Sequence, residues 1–81
     1  MFNIDEIKDA NIKQTLEEVY KSLKERGYNP INQLTGYIIT GDPGYISNYN
    51  DSRTKICNLD RTELVVTLIK DYLKTKWEYW D

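Results

Sequence analysis

All four glycines and both prolines of this 81-residue chain fall in one stretch, GYNPINQLTGYIITGDPGY, Gly27 to Tyr45. Glycine-rich loops can bring backbone N–H groups against a phosphate, so the first chemistry to weigh is nucleotide binding. A Walker loop follows its last glycine with Lys and Ser/Thr, whereas Gly44 is followed by Tyr45. A dinucleotide fingerprint needs a strand before its glycines. The residues before Gly27 carry a helical period instead. The glycines and prolines therefore read as architecture, two helix starts and two helix stops.

Catalysis has little to work with. The chain has no histidine and one cysteine, so a nucleophile would depend on Cys57 beside a lysine, or on paired carboxylates in a cleft. The Asp and Glu residues fall at capping positions or on solvated helical faces, which explains their spacing without chemistry. One cysteine and no histidine cannot build a zinc shell, and a lone thiol suits a reducing cytosol. No enzyme, metal or cofactor is expected. Eleven basic and 13 acidic residues are interspersed along the chain, for a net charge of −2. That balance speaks against a protein built to neutralise nucleic-acid phosphates. MFNIDEIKDANIK lacks the basic and apolar regions of a signal peptide, and no window reaches the ~18–20 apolar residues of a membrane span. A soluble, cytoplasmic protein is expected.

Seven tyrosines and two tryptophans are many for so short a soluble chain. Aromatics give large contact area at little entropy cost, and arginines join them at binding hot spots. Tyr45, Tyr49, Arg53 and Arg61 are the candidate partner-binding residues. The segment WEYWD, Trp77 to Asp81, suggests a further contact, with the rest of the fold or with a second subunit.

These side chains must be positioned by helices. Ile12, Leu16, Val19, Tyr20 and Leu23 recur at helical spacing, predicting a first helix over about Ala10 to Arg26, capped by Asp9 and closed by Gly27. Asn29-Pro30 is a helix start, Ile31, Leu34 and Ile38 keep the period, and Gly41 ends a second helix over Pro30 to Thr40. Asp42-Pro43 repeats the start signal. Asn50 or Asp51 can cap a third short helix reaching about Asn58, with Ile56 and Leu59 inward. Asp60 and Glu63 form a variant capping box before a last helix, Arg61 to about Lys76, with Leu64, Val65, Leu68, Ile69, Tyr72 and Leu73 as its apolar stripe. The expected fold is all-α, a compact bundle of four to five short helices in a single domain, 1–81. A core this small is marginal on its own, so a homodimer is expected. Short helices joined by tight turns are also the anatomy of a helix-turn-helix DNA-binding repressor, the rival reading. Against it, the second helix has no Lys or Arg, and the third offers only Arg53 and Lys55.

The stretch from Gly27 to Leu64 closely resembles the signature G-Y-N-P-[IV]-N-Q-x-x-G-Y-x-x-S-G-D-P-x-Y, followed by A-R-x-x-I and E-R-x-E-[IL], of the IreB/ReoM family of small Gram-positive regulatory proteins. Gly27, Tyr28, Asn29, Pro30, Asn32, Gln33, Gly36, Tyr37, Gly41, Asp42 and Pro43 carry the motif, and the likeness extends from about Phe2 to Leu73. The resemblance implies an all-helical homodimer without enzymatic activity, a substrate of a membrane Ser/Thr kinase with PASTA domains. It further implies control of cell-wall synthesis and cephalosporin tolerance, in one branch through Clp-protease degradation of the enzyme committing precursors to peptidoglycan. The family's phosphoacceptor threonine precedes the Phe-Asn stretch, and Phe2 here is preceded only by Met1, so no phosphosite is expected in these residues. The stretch from Tyr45 to Arg61 is less basic than is usual in the family, although Arg53 and Arg61 persist. Weakened phosphate recognition is expected to accompany the missing acceptor.

Overall fold

Helix-end chemistry does much to set this fold. The computed structural model describes the backbone of residues 4–77 and the side chains of residues 7–74. It places α1 at Ile4–Glu25, α2 at Pro30–Thr40, α3 at Ser52–Cys57 and α4 at Arg61–Trp77. Two 3-10 turns, Pro43–Tyr45 and Tyr49–Asp51, link α2 to α3. The protein is all-helical, with no strand among the described residues. The aromatics expected to make a contact, Trp77 to Trp80, lie outside the described side chains.

α1 ends as its glycine predicts. Gly27 sits at φ +91°, its N–H bonds to Lys24 O at 3.0 Å, and the Tyr28 N–H bonds to Leu23 O at 3.0 Å. This pair of bonds satisfies carbonyls that the last turn would otherwise leave open. The start of α1 differs from expectation. The helix begins at Ile4, so Asp9 lies inside it and caps nothing. Its carboxylate instead accepts from the Thr67 hydroxyl at 2.9 Å and lies 3.5 Å from the Lys70 ammonium. A short acidic side chain before an apolar run looks like a cap in sequence, but here its partners are on α4.

α2 has the predicted bounds at both ends. The Asn29 side chain accepts from the Asn32 N–H at 3.1 Å, Pro30 fills the first helical turn without losing a bond, and Gly41 closes the helix at φ +77° with its N–H on Tyr37 O at 2.7 Å. Asp42 accepts from the Gly44 N–H at 2.8 Å, but what it caps is only a 3-10 turn. α3 starts by a different device from the predicted side-chain cap. Asn50 and Asp51 both take left-handed conformations, φ +55° and +60°, and neither side chain caps the helix. Asn and Asp tolerate that region better than other side-chain-bearing residues. The Ser52 hydroxyl then donates to Tyr49 O at 2.7 Å, which satisfies a fully buried polar group. At α4 half of the capping box forms. The Asp60 carboxylate accepts from the Glu63 N–H at 3.0 Å, while the Glu63 carboxylate faces Lys8 at 3.7 Å.

The core takes one to three residues from each element: Ile12, Val19 and Leu23 from α1, Leu34 and Tyr37 from α2, Ile46 from the linking loop, Ile56 from α3 and Leu64 from α4. Burial of each large apolar side chain is worth roughly 1.5–3 kcal/mol. α1 is the central element, packing against α2, α3 and α4. The predicted stripes are wider than the core that receives them. Tyr20, Ile31, Ile69 and Tyr72 share helical faces with core residues and are nevertheless exposed. Small domains cover only part of each apolar face, because their surface is large for their volume.

Candidate functional site

The loop between α2 and α3 is held to the helices by side chains that the glycine-rich stretch supplies. Gln33 reaches from α2 to accept the Ser47 N–H at 2.9 Å. Gly36 lets the Tyr45 ring lie directly on the α2 backbone; a Cβ at that position would run into the ring. Thr40 ties the end of α2 to the loop, its hydroxyl donating to Gly36 O at 2.7 Å and accepting from the Asp42 N–H at 3.0 Å. Gly41 is doubly constrained. Its φ favours glycine, and the Arg61 guanidinium lies where a Cβ would project.

Three of the four candidate contact residues meet around this loop. The Arg53 side chain comes from α3 and its Nε–H is shared between Pro43 O at 3.1 Å and Ile46 O at 2.9 Å. Arg53 therefore fixes the turn that carries Tyr45. Tyr45 stands on Gly36 with 48% of its surface exposed, and Arg61, at the start of α4, is exposed beside Gly41. Among the described residues, no carboxylate lies within ion-pair distance of Arg53 or Arg61. Tyr49 is not part of this group. Its hydroxyl donates to the Glu25 carboxylate at 2.9 Å, and the Arg26 guanidinium lies 5.8 Å from its ring centre, so it joins the loop to the end of α1.

Two tyrosines are harder to ionise than usual, for different reasons. Burial raises the Tyr37 pKa first, and the Cys57 thiol beside it adds to that, while nearby Arg61 opposes it. For Tyr49 the hydrogen bond to Glu25 is the main cause. Both hydroxyls are protonated at neutral pH, and that of Tyr49 donates to Glu25. Among the described residues there is no group of three His, Cys, Asp or Glu side chains placed to hold a metal. What the α2–α3 loop offers is an exposed aromatic ring with a guanidinium at its edge of the molecule, a surface suited to an apolar contact next to an anionic one.

Reading along the sequence missed Ser47, Glu25 and Arg26 as fixed points of this region. Each is bonded to a residue 14 or more positions away, or to an aromatic on another element, and no local pattern signals such a pair.

The family model of the IreB regulatory phosphoproteins matches residues 1–74. The chain belongs to the IreB family. All the glycine, proline and arginine positions described above lie inside the matched span, and WEYWD lies beyond it. The family to which this IreB-family protein belongs is one of regulatory phosphoproteins. No helix among the described residues is long and apolar enough to cross a membrane.

Proposed function

We propose that this protein is a non-enzymatic, cytoplasmic adaptor that acts by protein contact in kinase-linked control of peptidoglycan synthesis and cephalosporin tolerance. The observation that carries this reading is the family match over residues 1–74, which takes in nearly the whole helical body. Tyr45 and Arg61 form the proposed contact face. Arg53 and Tyr49 position the loop beneath it. The proposed partners are a Ser/Thr kinase, the Clp-protease machinery and a second copy of the chain. Protein is favoured over DNA as the partner because α2 has no cation, while in α3 Arg53 is engaged by carbonyls and Lys55 lies 3.8 Å from Glu18. A recognition helix needs such donors turned outward.

Deleting the gene is expected to change cephalosporin susceptibility, with wild-type protein restoring it; unchanged susceptibility would contradict the proposal. The homodimer is tested separately. Sedimentation at micromolar concentration is expected to give twice the 9.6 kDa monomer mass, and a monomer there would remove the dimer from the account.

A further inference from the structure

An apolar groove of about 340 Å³ lies between α1 and α2, away from the Tyr45 face. Leu16, Tyr20, Ile31 and Leu34 line it, and Glu17 and Lys21 stand with them. Tyr20 and Ile31 are 39% and 62% exposed, so the groove leaves apolar surface uncovered.

The direction of α4 says what can reach it. Lys8 faces Glu63, Asp9 faces Thr67 and Lys70, and Lys13 faces Asp71 at 2.8 Å. The numbers rise together, so α1 and α4 run the same way. Asp9, Lys13, Leu16, Glu17 and Tyr20 are spaced i, i+4, i+7, i+8 and i+11, one continuous face of α1. The face on which α4 lies therefore continues into the groove. Both helices advance ~1.5 Å per residue, so from Asp71 to its end at Trp77 α4 runs roughly 9 Å alongside α1 in the direction of Tyr20. That is where the chain turns aromatic, with Trp77, Tyr79 and Trp80 in five residues.

We propose that the segment Trp77 to Asp81 seats an indole of its own chain in the α1–α2 groove, with Lys21 facing the Glu78 or Asp81 carboxylate. The groove fits this occupant better than it fits a second copy. A stable dimer buries about 800 Å² per partner, far more than four lining apolar side chains present, and a tethered segment has the advantage of millimolar effective concentration. The segment lies outside the span matched by the family model.

Both tryptophans of the protein are in the segment, so intrinsic fluorescence of the full chain reads its position without a label. Wild-type emission is expected to lie to the blue of free tryptophan and to resist acrylamide quenching. Ile31→Asp places a charge in the groove at the second position of α2, where an acidic side chain also suits the helix dipole, and circular dichroism checks the fold. Ile31→Asp is expected to shift emission to that of free tryptophan and to raise quenching severalfold. Tyr20→Ser, on the opposite wall, is expected to shift it the same way. Wild-type emission at the free-tryptophan position would overturn the proposal. So would a blue-shifted emission that neither substitution moves, or one lost on dilution, which would place the segment elsewhere or on another copy.

Discussion

Leu23→Ala is expected to lower the unfolding free energy by about 2–5 kcal/mol, the cost of emptying a core site that cannot fully collapse. Leu23 is fully buried on α1, the helix that contacts each of the others, and its carbonyl accepts the Tyr28 N–H that closes α1. The loss falls on a small reserve. At roughly 0.05–0.15 kcal/mol per residue, a domain of this size has about 4–12 kcal/mol in total. Thermal melting is the convenient measurement, since each kcal/mol lowers the midpoint by about 4–8 °C in domains of this length. Ile39→Ala is the control. Ile39 is 76% exposed on α2, and its truncation is expected to leave the midpoint within a degree or two. Equal melting of the two variants would mean that the core is not where the burial pattern puts it.

Arg53→Ala is expected to cost about 1–2 kcal/mol, less than the full value of a charged hydrogen bond because the side chain is exposed. Its local effect is the more telling one. Removing the guanidinium leaves Pro43 O and Ile46 O without the shared Nε–H donor, and these carbonyls belong to the turn on which Tyr45 stands. Amide exchange at Tyr45 and Ile46, whose N–H groups bond to Asp42 O and Pro43 O, is expected to speed up more than exchange in α1. Arg53→Lys is not expected to rescue it, because an ammonium on a flexible stem does not reproduce the fixed Nε–H direction. Unchanged exchange in the variant would demote Arg53 from a structural clamp to a surface residue.

The features legible in the sequence are those whose cause is local. Asn29, Pro30 and Gly41 fix α2 within a dozen residues of one another, and the two bounds read from them are the two observed. Gly27 and Asp60 act in the same way, through bonds to neighbours three to five residues off. Asp9 has the residue type of a cap but is engaged by Thr67, 58 positions later, and no local pattern contains that pairing. The start of α3 was partly visible. Asn50-Asp51 reads in sequence as capping chemistry, whereas its use is the other property of these residues, tolerance of left-handed backbone. The candidate site divides along the same line. Gly36 is explained only when Tyr45, nine residues on, folds back over it, and Gly41, already a helix stop, is constrained a second time by Arg61, twenty residues on. Arg53 has the residue type of a contact residue, and that type equally suits the carbonyl clamp that it forms.

The stretch Gly27 to Tyr45 is thus a scaffold whose backbone chemistry sets Tyr45 and Arg61 at one end of α2. Regulation through this face is the proposed role of Tyr45 and Arg61. Its most direct test is complementation of a deletion strain with Arg61→Glu protein, at matched cellular level and with an unchanged melting point. Arg61 is exposed and outside the core, so the fold is expected to tolerate the reversal while contact with an anionic partner group is lost. The Arg61→Glu strain is expected to show the cephalosporin susceptibility of the deletion strain. Susceptibility restored to that of the wild type would contradict it.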